Sequence, residues 1–273
     1  MKKSKKINIY FIVANENLFH PHFLFNLIKL LKKENFKIVG ITIAKDNYKN
    51  GFIKAVLSQI ELWGFLPFSF MVYNLALRQI LLRTGINKNK TIEGIANINE
   101  IELKQSFNVN EEKHLEYLKK LDIDIIISSS GHIFKNKLLR LPKIACINRH
   151  SALLPKYGGV LPVFWAMKNK EKKFGVSVHL MAEEIDQGDI LSQAEIENKA
   201  ENSLFYNYML AFDKSSNSCN EAIKNLLKNR IVKKFHHNKD EYYSFPSSQD
   251  IKDFRKIAKA FNFSDIYSFY KTY

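Results

Sequence analysis

The sequence predicts an α/β fold on an open, mostly parallel sheet, and three observations predict it. The apolar runs INIYFIVA and FKIVGITIA are short enough for strands, and the segment between them carries apolar residues at helical spacing. A strand, helix, strand order of this kind closes through a right-handed crossover and gives a parallel pair. Farther on, two apolar runs end in polar turns, DIDIIISSSG and IACINRH, as strands do where an open sheet presents its carboxyl edge to a ligand.

Taken in order, residues 7 to 14 form the first strand, HPHFLFNLIKLLKKENF a helix with Pro21 near its start, and residues 36 to 44 the second strand. The turn after the first strand, NENLFHPHF, contains no glycine, so the dinucleotide fingerprint is absent and NAD is not expected. His20 and His22 lie in that turn, where they could face a ligand, and read first as surface histidines flanking a helix-start proline. KTIEGIANINEIE is expected to carry a short strand, NEEKHLEYLKKLD an amphipathic helix, and Ile123 to Ile127 a strand running into a Ser-Ser-Ser-Gly turn. KNKLLRLP is a short helix ended by Pro142, and IACIN is the strand that delivers Asn148. LPVFWAMKNKEKK reads as a helix, while FGVSVHLM (174 to 181) and ILSQAEI (190 to 196) are strands on either side of the acidic loop AEEIDQGDI. A helix from Ser203 to Leu227 and a short tail complete the chain. Residues 1–200 are the expected catalytic domain, with an apolar insertion at about 51–85, and residues 201–273 a C-terminal helix and tail.

Composition narrows the function classes. A chain of 273 residues is long enough for one sizeable core that needs no covalent staples. Cys146 and Cys219 lie in different predicted elements and lack metal-ligand spacing, so a disulfide framework and a metal site are not expected; a reducing cytoplasm fits. Cys146, inside an apolar strand, reads as packing. The basic start MKKSKK precedes a short apolar run with no small-residue cleavage pattern, so it reads as the approach to a buried strand. Leu62 to Leu77 is free of charge, yet it holds Pro67 and Asn74 and falls short of the roughly twenty residues that span a bilayer. A buried or homodimer-facing insertion is the expectation there, and membrane contact is not. The net charge of +15 is spread over separate clusters, Lys2 to Lys6, Lys29 to Lys37, Lys168 to Lys173 and Lys224 to Lys239. Such clusters suit either anionic ligands or a solvated surface, and no DNA partner is expected.

The chemistry concentrates in INRHSALLPKYGG. Asn148 and His150 sit two apart at a strand end, hence on one face, and Asp186 follows the strand that bears His179. An amide, an imidazole and a carboxylate beside turns can polarise a carbonyl, hold a developing oxyanion and manage an amine proton. A hydrolase drawn from Ser151, His150 and Asp186 is the competing pattern; it lacks a G-x-S-x-G elbow, and Ser151 directly follows the histidine it would need to face.

The run from INRHSALLPKYGG through GVSVH to IDQGDI resembles the signature of the 10-formyltetrahydrofolate-dependent formyltransferases, a family that includes methionyl-tRNA formyltransferase, glycinamide ribonucleotide formyltransferase and the formyltransferases of nucleotide-linked amino sugars. The resemblance is strongest from about 121 to 197 and implies a Rossmann-like formyltransferase fold. It implies catalytic roles for Asn148 and His150 on the formyl oxygen and for Asp186 in tuning the histidine and carrying the amine proton. It places the pterin against Ser130, Gly131, His132, Ile133 and Phe134 and against Glu183, Glu184 and Ile185. The acceptor would meet Ser151, Leu154, Pro155, Tyr157, Gly158, Gly159 and His179.

Two departures bear on the acceptor. Gly158 stands where many members carry an arginine, which removes a fixed cation from that loop. Some seventy residues follow the last core strand, too few for the β-barrel domain of a full methionyl-tRNA formyltransferase, and YYSFPSSQDIKDFRK resembles the tail of formyltransferase-like proteins associated with surface polysaccharides. Tyr242 and Phe245 there are expected to pack on the core, or to stack a base or sugar. The expected reaction is formyl transfer from 10-formyltetrahydrofolate to the amine of a nucleotide-linked amino sugar. The alternatives are methionyl-tRNA as acceptor, an inactive folate- or nucleotide-binding homologue, and a hydrolase releasing formate.

Overall fold

The computed structural model describes residues 6–34, 36–46, 51–234 and 242–273. The basic run Lys2 to Lys5 and the stretch FHHNKDE (235–241) lie outside the described residues.

A seven-stranded sheet carries the molecule. Its strands are β1 (Asn8–Ala14), β2 (Lys37–Ala44), β3 (Leu103–Ser106), β4 (Ile125–Ser129), β5 (Ala145–His150), β7 (Lys173–Leu180) and β8 (Ile190–Glu197). Their spatial order is β3-β2-β1-β4-β5-β7-β8, parallel from β3 through β5 and antiparallel at β5–β7 and β7–β8. A separate two-residue ladder joins β6 (Gly158–Gly159) to β9 (Tyr242–Tyr243). Strand order reverses between β1 and β4, the position at which open α/β sheets bind ligands beyond their strand ends.

Alternation along each strand sends successive side chains to opposite layers. Ile9, Phe11 and Val13 face a core shared with α1 (His20–Lys33), α4 (Ile92–Ile98), α7 (Pro162–Lys168) and α8 (Leu204–Leu227). Tyr10 and Ile12 face a smaller core under α5 (Glu112–Lys119) and α6 (Asn136–Leu139). On β5, Cys146 belongs to the second layer and Ile147 to the first, so Asn148 and His150 leave on the α5–α6 side and Arg149 on the α8 side. Both cysteines are buried and unpaired. Burial pushes the Cys146 thiol up to about 12, as suits a packing residue.

Most elements lie where the pattern put them. The exception is KTIEGIANINEIE, where α4 replaces the expected strand. Thr91 caps the helix by accepting from Gly94 N–H at 3.0 Å, Ile92 and Ile95 bury one helical face, and the strand begins later, at Leu103.

The insertion forms two helices, α2 (Phe52–Trp63) and α3 (Phe65–Thr84), broken at Gly64 with φ +90°. Phe70 packs against Phe205, Phe261 and Phe269, so one face of α3 joins the core, whereas Phe65 and Leu66 are 69% and 68% exposed. Among the described residues α3 is the one helix long and apolar enough to cross a membrane by length and composition. Its neighbours in the tail are α9 (Ser248–Ile257) and α10 (Ser264–Thr272), short helices; no barrel closes among the described residues.

Candidate active site

The carboxyl ends of β1, β4 and β5 open into a cleft of about 470 Å³, within the usual range for small-molecule sites. Asn148 pairs in register with Ser128 on β4 and with His179 on β7, and His150 pairs with Ser177. This pairing brings an amide from one strand beside an imidazole from the next. The β7–β8 ladder shifts register between Val178 and His179, a bulge of the kind that re-aims a side chain.

Asp186 reaches the same point from the acidic loop. The loop returns tightly because Gly188 lies against Leu180 O, where a Cβ would come within 1.7 Å, and Asp186 itself adopts φ +56°. Its Oδ2 accepts from Gly159 N–H at 2.8 Å and lies 3.7 Å from His150 Nδ1, while Oδ1 lies 3.5 Å from both His179 Nε2 and Asn148 Nδ2. Burial alone would raise this carboxyl. The charges that His150 and His179 carry when protonated, the hydrogen bond a protonated His179 donates and the Gly159 N–H outweigh it and hold Asp186 well below the ordinary carboxylate range.

Carbonyl partners settle the proton positions, because a carbonyl only accepts. His179 Nδ1–H donates to Leu180 O at 2.8 Å, so the neutral ring presents a bare Nε2, which takes Asn148 Nδ2–H at 3.3 Å. The amide is thereby oriented, and Asn148 Oδ1 is left buried without a partner at the cleft wall. His150 Nε2–H donates to Tyr157 O at 2.9 Å, which leaves a bare Nδ1 facing Asp186. A proton taken up at Nδ1 would meet a carboxylate already in place.

The turn Ser130 to Phe134 and the loop Glu183 to Ile185 both line the cleft, as do Ser151, Gly159 and His179. Four sequence candidates do not. Leu154, Pro155, Tyr157 and Gly158 lie off the cleft wall: Leu154 is a core residue, and Tyr157 turns its ring onto Tyr243 at 5.4 Å and contributes its carbonyl to His150. The physical reason is the β6–β9 ladder, which pulls the loop against the tail. Tyr243 packs between Tyr157 and Trp165, whereas Tyr242 is half-exposed at the cleft.

Of the two readings of His20 the structure keeps the cleft-facing one, and Arg149 and Tyr208 are cleft residues that sequence reasoning missed. His20 is 6% exposed, a correction to its reading as a surface residue; its Nε2 contacts Ser129 O at 2.9 Å and its Nδ1 contacts Glu16 at 2.8 Å. Arg149 and Tyr208 line the α8 side of the cleft. The available signal was the period of two along β5, which puts the residue between Asn148 and His150 on the opposite face of the same strand. Among the described residues no group of three or more His, Cys, Asp or Glu side chains is placed to hold a metal ion.

Residues 84–209 match the family model described as formyl transferase. A bifunctional polymyxin resistance protein ArnA from Wigglesworthia glossinidia brevipalpis is 38% identical over 125 residues, 45% of this chain and 19% of that protein. Methionyl-tRNA formyltransferase from Thermotoga maritima is 37% identical over 106 residues, 38% of this chain and 34% of that enzyme. The chain thus spans about a third or less of the length of these relatives. Among solved structures, the N-formyltransferase from Helicobacter canadensis in complex with folinic acid and dTDP-3-aminofucose superposes with a TM-score of 0.58 at 18% identity, covering 94% of this chain and 81% of that one. Glycinamide ribonucleotide transformylase 1 from Symbiobacterium toebii gives 0.59 at 12% identity, covering 88% and 94%. At these identities the structural likeness speaks for the fold, and the formyl transferase family model matches the segment that contains Asn148, His150 and Asp186.

Proposed function

We propose that the protein moves a formyl group from 10-formyltetrahydrofolate to the primary amine of a nucleotide-linked amino sugar, with Asn148, His150 and Asp186 as the catalytic residues. The observation that carries the reading is the convergence of these three side chains on one cleft, with Asn148 Oδ1 buried and unpartnered there. A buried amide oxygen left open is costly unless a donor arrives to fill it, and an incoming amine is such a donor.

In this reading the folate supplies an activated formyl group on nitrogen. Asn148 Oδ1 accepts an N–H of the acceptor amine and aims its lone pair, while the Nδ2–H that meets Asp186 Oδ1 at 3.5 Å would turn to the formyl oxygen. As the new C–N bond forms, the amine must lose a proton and the departing folate nitrogen must gain one. His150 Nδ1 is the bare base beside the cleft, and Asp186 compensates the charge the ring acquires. Gly159 N–H and His179 hold Asp186 ionised while it does so.

The folate ring would lie against the Ser130 to Phe134 turn and the Glu183 to Ile185 loop, both on the cleft wall. The amino-sugar acceptor is supported by the fold neighbour solved with folinic acid and dTDP-3-aminofucose, and by half-exposed Tyr242, an aromatic platform at the cleft. Methionyl-tRNA is the second reading, favoured by the relatives of that name and by the net charge of +15. We assign residues 1–200 to the catalytic unit and a cytoplasmic site of action on the same reading.

The deciding experiment incubates the protein with 10-formyltetrahydrofolate and, separately, nucleotide-linked 3-amino and 4-amino sugars or methionyl-tRNA. Tetrahydrofolate release and product mass are followed. A formylated nucleotide sugar is expected; formylated tRNA with inert sugars would overturn the acceptor. Formate released without any amine would mean hydrolysis.

A further inference from the structure

Arg149 stands between Asn148 and His150 on β5, yet it points the other way. Its Nε donates to Ser215 Oγ on α8 at 2.7 Å, Ser215 in turn donates to Ala211 O at 2.6 Å, and the guanidinium lies 3.9 Å over the Phe212 ring. These contacts fix the side chain without neutralising it. Among the described residues no carboxylate lies within ion-pair distance of Arg149; Glu16 exerts only a longer-range pull. Nη2 is buried and has no hydrogen-bond partner. Tyr208 Oη, which feels the Arg149 charge, is also buried, with the Val163 N–H as a weak backbone contact and no acceptor for its own O–H. The two residues are 7% and 8% exposed, and both line the same cleft as Asn148 and Asp186.

A buried cation without a counter-ion is destabilising relative to a paired one, and an aliphatic side chain would fill the apolar surroundings here at lower cost. Burial draws Arg149 down to about 10, so it still carries its charge at neutral pH. Something anionic therefore completes it. The other natural anion site at this end of the sheet is already taken. The N–H groups at the start of α1 are capped by Glu16, whose carboxylate accepts from Leu18 N, from Phe19 N at 3.0 Å and from His20 N at 3.1 Å, and pairs with His20 Nδ1. An incoming phosphate finds that helix end occupied by a carboxylate of the chain itself. Arg149 Nη2 and Tyr208 Oη are the donors left open on the α8 side.

We propose that Arg149 Nη2 and Tyr208 Oη form an oxyanion subsite for the acceptor, binding a phosphate or carboxylate oxygen attached to the molecule whose amine is formylated. The word acceptor rests on the transferase reading above; the anion subsite rests on the geometry of Arg149. Opposite faces of one strand then read two ends of one substrate, the amine at Asn148 and the anion at Arg149.

The test uses the full chain and inorganic pyrophosphate as the probe, titrated calorimetrically into wild type, Arg149→Met and Tyr208→Phe, with thermal unfolding run alongside. Pyrophosphate should bind the wild type, bind Arg149→Met roughly tenfold or more weakly, and bind Tyr208→Phe severalfold more weakly, as loss of one charge-assisted and one neutral hydrogen bond implies. Tyr208→Phe keeps the ring and its packing, so it decides the matter even where Arg149→Met unfolds. In steady-state assays the acceptor KM should rise more than kcat falls, with the KM for 10-formyltetrahydrofolate unchanged. Equal pyrophosphate binding by wild type and folded variants would overturn the subsite, and so would a rise confined to the folate KM, which would assign the anion to the donor's carboxylates. Pyrophosphate binding by a wild type that formylates no amine would sink the transferase reading and leave the subsite standing. Turnover by a wild type that ignores pyrophosphate would do the reverse.

Discussion

The two faces of β5 are built on opposite plans. On the α5–α6 side, Asn148, His150, His179 and Asp186 are joined to one another and to the Gly159 N–H, and the Tyr157 and Leu180 carbonyls fix the protons. On the α8 side, Arg149 is held by one serine and one ring and is left with an open donor. On the first face the imidazole and its carboxylate are in place beforehand and only Asn148 Oδ1 waits for the ligand, as suits a site whose power lies in fixed groups that need no rearrangement. A site that reads charge can leave its partner to the ligand. The contrast predicts that damage on the first face lowers rate and damage on the second lowers affinity.

The largest effect should come from His150→Ala. Loss of the bare Nδ1 should lower turnover about 10²–10⁴-fold, the usual range for a general base, with folate affinity little changed. Turnover within tenfold of wild type would break the comparison by removing the base from this face.

Asp186→Asn should follow, at about 10²-fold in kcat, because the amide cannot compensate a charged His150. The same substitution has a stability signature with a definite sign. Asp186 sits below its ordinary value of 3.8, so the folded protein binds fewer protons there than the unfolded chain. Its contribution is present above about pH 4 and lost as pH falls through the folded value. Chemical denaturation from pH 7 to pH 3 should show a steeper acid loss for wild type than for Asp186→Asn. Parallel curves would mean that His150 and His179 do not stabilise the carboxylate.

Gly159→Ala should give the smallest of the three. Gly159 adopts φ +92°, and a Cβ would come within 2.2 Å of Tyr243 O, so the loop must move away from the tail. A cost of about 1–3 kcal/mol is expected from the backbone alone, with turnover falling about tenfold as Asp186 loses its N–H donor. Thermal unfolding and kcat together test this; a stable variant with lost turnover would sharpen the comparison by assigning Gly159 to the chemistry rather than to the loop.

The sequence made one face of β5 legible and concealed the other. Asn148, His150 and Asp186 stand out because the polar residues fall where apolar strands end and the resemblance covers that stretch, and the structure brings them to one cleft. Arg149 draws no reading from the sequence, since a motif written as N-x-H discards the residue that alternation sends to the other face. His20 looked like a surface residue because Pro21 marked a helix start, and nothing local shows that the helix end is folded under β4 against Ser129. The strand expected near residue 95 failed for the opposite reason: a threonine cap and isoleucines three apart form a helix that a pattern of alternation also fits. Leu154 and Tyr157 belong to the quoted motif, but their side chains serve packing, and only the Tyr157 carbonyl reaches His150.

The β6–β9 ladder has a consequence for how the molecule is made. Gly159, which holds Asp186, is paired with Tyr243, a residue translated well after it and after β8. The sheet through β8 can assemble beforehand, but this loop has no strand to dock on until Tyr242 and Tyr243 emerge. Translation stopped short of Tyr242 should therefore leave Gly159 without its strand partner and Asp186 without a fixed anchor, while α9 and α10 still have Ile251, Phe254 and Phe269 to add to the core.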